Sequence, residues 1–176
     1  MKSSIALIGF MGVGKTAVGK VLAKKLGKQF IELDYLIAQK AGKPIPEIFQ
    51  QDGEVAFREL EIEIAKEVAK NKNQIIACGG GIVLNKINID RLKRDSIIVY
   101  LTASPGVILK RVSNGDEERP VLKASNKALK IREVLRFRKP FYERAADIKV
   151  DTSGVDIDSV AGEIIRQVKQ DENFNI

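Results

Sequence analysis

The sequence predicts an α/β fold, a three-layer sandwich with a five-stranded parallel sheet, and three observations predict it. Short apolar-rich runs of the buried-strand kind recur at residues 4–9, 29–33, 74–78, 96–101 and 147–150. Segments of helical period separate them, and parallel strands need such crossovers. A glycine-rich turn joins the first strand directly to the first helix. Taken in order, residues 15–26 place Val18, Val21, Leu22 and Leu26 on one face. Residues 35–40 form a short helix after the second strand. Residues 53–70 carry Phe57, Leu60, Ile64 and Val68 as a second apolar stripe. Residues 105–111, 127–141 and 156–169 complete the helices. Residues 113–126 are rich in Asn, Gly, Asp, Glu, Arg and Pro with few apolar anchors, so they are expected to form a mobile lid. The polar tail, 170–176, is expected to fray. A length of 176 residues fits one domain, 1–176, without repeats.

The composition, 44% hydrophobic and 30% charged, suits a chain that buries a core. The absence of His excludes Ser-His-Asp triads, imidazole bases and His-ligated zinc, so any metal is held by oxygen. The single Cys78 forms no internal disulfide, which fits a reducing, cytoplasmic setting. It reads as a small buried hydrophobe rather than a nucleophile. No apolar stretch is long enough to span a membrane, and none reads as a secretory signal. A net charge of +7 leaves nucleic acid or small anionic ligands as partners.

After the first apolar run comes Gly9-Phe10-Met11-Gly12-Val13-Gly14-Lys15-Thr16, with the spacing G-x-x-x-x-G-K-[ST]. Its glycines let the backbone curl until successive N–H groups face a phosphate. The helix N-terminus adds partial positive charge and Lys15 a full one. Gly12, Val13, Gly14, Lys15, Thr16 and Ala17 are therefore the nucleotide-phosphate candidates, and the Thr16 hydroxyl is the expected Mg²⁺ ligand. A plain strand-to-helix turn would need no Lys-Thr pair.

With five further blocks in order, the chain resembles the shikimate kinase family, small P-loop phosphotransferases of the nucleoside-monophosphate-kinase fold. The blocks are Glu32-Leu33-Asp34, Gly53-Glu54 with Phe57-Arg58, Gly79-Gly80-Gly81, Arg119-Pro120-Val121-Leu122 and Arg138-Lys139-Pro140-Phe141-Tyr142. The resemblance implies ATP and shikimate as substrates, Mg²⁺ as cofactor and transfer to the 3-hydroxyl. It gives Asp34 the binding of that hydroxyl; read from the residues alone, Asp34 either accepts a proton at the sheet's carboxyl end or caps the following helix. Glu32 stands where the family usually has Asp near magnesium. It either holds a water of the metal shell or is an exposed charge at a strand edge.

Arg58 and Arg138 match positions that hold the substrate carboxylate, for which a guanidinium fork is suited. Glu61 lies one turn after Arg58 and would orient it; otherwise the two form a surface ion pair worth at most about 1 kcal/mol. Gly79, Gly80 and Gly81 match a substrate-cradling triplet whose bare backbone admits a ring. Arg119, in the lid, is implied to act on the transferring phosphate, and Arg111, at its base, to lie against adenine. Residues 151–155 match the loop that flanks the base.

The resulting expectation is an ATP:shikimate 3-phosphotransferase in aromatic amino-acid biosynthesis, monomeric, with Lys15, Asp34 and Arg119 as its catalytic residues. Another small-metabolite kinase, such as one acting on gluconate, is the alternative. A nucleic-acid-binding switch is disfavoured: aromatics make up 6%, and no stacking motif is present.

Overall fold

A computed structural model describes residues 1–114 and 126–175. Among them five strands, β1 (Ser4–Ile8), β2 (Gln29–Glu32), β3 (Gln74–Ala77), β4 (Ser96–Thr102) and β5 (Ile148–Asp151), form one parallel sheet in the order β2-β3-β1-β4-β5. β1 is central, and Ile5 lies opposite Ile75 on one side and Ile97 on the other. The helices are α1 (Lys15–Leu26), α2 (Leu33–Ala41), α3 (Ile45–Gln51), α4 (Gly53–Val68), α5 (Lys86–Leu92), α6 (Pro105–Ser113), α7 (Lys127–Ala145) and α8 (Ile157–Val168).

The period-2 geometry of a strand divides the core in two. Ile5 and Leu7 pack with Val18, Leu22, Ile108 and Ile164 on one face. Ala6 and Ile8 pack with Phe57, Ile64, Ile89 and Tyr142 on the other. Every residue of β1 is buried, so the run has no polar alternation. The expected fold is therefore the observed one, with strand ends moved by a residue.

Three local differences have physical causes. α3 was hidden by the prolines at 44 and 46, yet proline is at home in a helix's first turn, where no N–H partner is lost. α7 runs through Pro140 to Ala145, beyond the expected end at 141. Buried Tyr142 and Ala145 anchor that last turn and outweigh the roughly 3 kcal/mol an interior proline costs. The tail expected to fray instead docks: the Lys2 and Asn175 amides donate to Asn173 and Lys2 carbonyls at 2.6 and 2.7 Å. Phe174 is buried there beneath the Lys28 ammonium, an apolar anchor in a stretch whose composition is otherwise polar.

The chain passes from β1 to β2 and returns to place β3 between them, then crosses to β4 on the far side of β1. The loops after β1 and β3 thus leave the sheet side by side where its winding reverses, the position at which open α/β sheets take ligands.

Candidate active site

The loop after β1 turns on Gly12 and Gly14, at φ of 77° and 100°, which side chains rarely adopt. Gly14 precedes α1 without any side-chain cap, so the helix presents bare N–H groups. Lys15 folds back over its own loop, donating to the Gly9 and Phe10 carbonyls at 2.8 and 2.9 Å. That places its ammonium in the hollow the loop encloses.

Thr16 donates its hydroxyl to Glu32 Oε1 at 2.5 Å. Glu32 is thus drawn against the phosphate loop rather than left as an exposed strand-edge charge. The pair supplies only hard oxygen donors. Among the described residues no three Asp, Glu or Cys side chains form a metal cage. This donor set fits Mg²⁺, which is held by one or two side chains plus phosphate oxygens and water.

The Gly79-Gly80-Gly81 turn lies beside this loop, and what crowds it defines the second half of the site. A Cβ on Gly79 would stand 2.7 Å from Asp34 Oδ1 and 3.3 Å from Glu61 Oε2. One on Gly80 would meet Arg138 Nη1 at 3.5 Å and the Met11 amide nitrogen at 3.6 Å. One on Gly81 would overlap the Arg58 guanidinium. The structure therefore gathers Asp34, Arg58, Glu61, Gly79, Gly80, Gly81 and Arg138 next to the phosphate loop. Asp34 sits in the first turn of α2, with Glu32 in the preceding cap position. The helix-cap alternative for Asp34 is thereby set aside; the helix dipole still favours its charge.

Arg58 donates to Glu61 Oε1 at 2.9 Å and to Glu54 Oε1 at 3.2 Å, its planar face over Phe57. Glu61 is 1% exposed, so this is no surface ion pair. Burial pushes the Glu61 carboxyl above its usual range, against the lowering effect of Arg58. Arg138 is 6% exposed. Cys78 is buried, and burial raises its thiol far above the reactive range.

Two further residues lie in segments that the resemblance marked but were given no role by the sequence reading. Tyr142, buried and stacked on Tyr100 at 5.0 Å between ring centroids, donates its hydroxyl to the Gly80 carbonyl and so props the glycine turn. Thr152, just past β5, bonds to the Val13 carbonyl at 2.9 Å. Its neighbour Arg111 donates to the Gly12 carbonyl at 3.2 Å. The resemblance pointed to 151–155 as a loop near the base; nothing in the sequence marked one hydroxyl within it. Arg119 and most of the expected lid, 113–126, lie outside the described residues.

A family profile described as "Shikimate kinase" matches residues 11–169. A shikimate kinase of Thermodesulfovibrio yellowstonii is 44% identical over 170 residues, covering 97% of both chains. The solved shikimate kinase of Acinetobacter baumannii in complex with shikimate superposes with a TM-score of 0.91 at 34% identity, over 98% of this chain and 96% of that one. A gluconokinase of Sinorhizobium meliloti, at 17% identity and a TM-score of 0.55, covers 93% of this chain and 90% of its own, and shares the fold alone.

Proposed function

The chain belongs to the shikimate kinase family, and from that premise we propose how its own residues phosphorylate shikimate with ATP. The observation that carries the reading is the meeting of the phosphate loop with a glycine turn walled by Asp34, Arg58 and Arg138. A phosphoryl donor and a hydroxylated, carboxylated acceptor fit side by side there.

Arg58 and Arg138 hold the acceptor's carboxylate, with Glu61 keeping the Arg58 fork in its plane. The glycine turn lets the ring approach the backbone. Asp34 accepts the proton of the 3-hydroxyl as that oxygen bonds to the γ-phosphorus. The bond from the γ-phosphorus to the β,γ-bridging oxygen breaks, and the electron pair leaves with ADP. Lys15 and the N–H groups of residues 12–17 neutralise the charge on the β- and γ-phosphates. Thr16 and Glu32 would hold Mg²⁺, which when bound offsets phosphate charge. Arg119 adds positive charge from outside the described residues. Positioning and electrostatics, not covalent catalysis, carry the rate.

ADP production in the presence of Mg²⁺ is expected to rise strongly when shikimate is added, and a coupled ADP assay reads it directly. A rate indifferent to shikimate but raised by gluconate would transfer the assignment to the alternative kinase.

Glu32→Gln is expected to raise the Mg²⁺ concentration needed for half-maximal activity by a few-fold, since the carboxylate charge is lost but the chain length kept. Shikimate affinity, measured separately by calorimetry, stays unchanged. An unaltered Mg²⁺ requirement would remove Glu32 from the metal site.

A further inference from the structure

The phosphate loop is tied at its outer turn to the far end of the chain. Arg111, on α6, donates from Nη1 to the Gly12 carbonyl at 3.2 Å and to Thr152 Oγ1 at 3.0 Å, and from Nη2 to the Thr152 carbonyl at 2.9 Å. Thr152 Oγ1 lies 2.9 Å from the Val13 carbonyl and 3.1 Å from the Thr102 carbonyl, and its own amide donates to Thr102 at 2.8 Å. Thr152 is 3% exposed, so its hydroxyl has no water to fall back on, whereas Arg111 reaches in from the surface.

The two carbonyls fixed by this network, of Gly12 and Val13, belong to the peptides whose N–H groups sit on Val13 and Gly14. A peptide is planar, so fixing its carbonyl outward fixes its N–H inward. Those N–H groups are the ones that the proposed function places on the phosphates. At Gly12 and Gly14 the backbone has positive φ and no Cβ to restrict it. The hydroxyl supplies a restraint that the glycines lack.

We propose that Thr152 is a positioning residue for the nucleotide: its hydroxyl, held between Arg111 and the Val13 carbonyl, sets the orientation of the phosphate-loop peptides without itself touching ATP. The proposal rests on the reading that this loop takes ATP. It gives the segment after β5 a mechanical task at the phosphates, apart from any contact with the base.

The test compares Thr152→Val, which keeps the volume and removes the hydroxyl, with Thr152→Ser, which keeps the hydroxyl. Calorimetry with MgADP and with shikimate, each on the free enzyme, is combined with steady-state kinetics. T152V is expected to weaken MgADP binding and raise the KM for ATP by on the order of tenfold, the scale of one or two lost buried hydrogen bonds, with kcat changed less than about threefold. Shikimate affinity stays at the wild-type value, and T152S restores nucleotide affinity to within about threefold of it. Should T152V fail to fold, Thr152→Ala carries the same expectation, since it too removes the hydroxyl. Equal loss of nucleotide affinity in T152V and T152S, or a lowered Tm with unchanged MgADP binding, would overturn the proposal and leave Thr152 a packing residue. Failure of the underlying reading looks different: the wild-type protein itself would not bind MgADP.

Discussion

Asp34→Asn is expected to lower the turnover of shikimate by on the order of 10² or more, the usual scale for loss of a general base. The substitution keeps the shape of the side chain and removes its charge. Its effect falls on the reacting hydroxyl, because Asp34 stands at the glycine turn beside the phosphate loop rather than in the helix-cap position. MgATP binding survives, since Lys15 and the loop amides are untouched. Kinetics at saturating ATP and shikimate, with calorimetric titration of each ligand, separate these claims. Normal turnover in the variant would reduce Asp34 to a charge favoured by the N-terminus of α2.

Arg58→Lys and Arg138→Lys test the other wall of the site. Each keeps a positive charge and loses the bidentate fork, so each is expected to weaken shikimate binding by roughly ten- to a hundredfold, the range of one or two charge-assisted hydrogen bonds. ATP affinity changes far less. The Arg58 variant also costs Glu61 the guanidinium hydrogen bond, which weakens the compensation of a buried carboxyl already pushed upward in pKa. Its carboxyl is then expected to protonate at somewhat higher pH than in the wild type, because the lowering influence is weakened while burial stays. Shikimate binding to Arg58→Lys measured from pH 5 to 8 reads this out; an affinity equal to wild type in both lysine variants would return the arginines to a structural role.

The fold was legible because its signals are dense and local. The β1 run is apolar from Ile5 to Ile8 for the plain reason that both faces of a central parallel strand are covered, and the bounds of α1 were readable from its periodicity alone. The phosphate loop was equally plain, its chemistry being written in consecutive residues. The other half of the site was not, since Asp34, Arg58, Gly79 and Arg138 come from four separate segments that meet only through the strand order. By spacing alone Arg58 and Glu61 are a surface pair, and only burial makes them something else. Tyr142 and Thr152 fall in segments that the resemblance marked, but their roles could not be read there. A hydroxyl that props a backbone carbonyl carries no motif, because the carbonyl it serves is present at every residue.

The tie between Val13 and Thr152, 139 residues apart in the chain, changes what a sequence motif means in this protein. Gly9 to Thr16 are synthesised well before Thr152, and the two edges of β1 must wait for β3 and β4 to be paired. The outer turn of the cradle waits longer still, for the segment that follows the last strand. A nascent or C-terminally shortened chain can therefore carry the complete phosphate-binding signature and yet hold it slack. By this tie, a firm grip on the nucleotide depends on the segment after the last strand as well as on the eight residues of the loop.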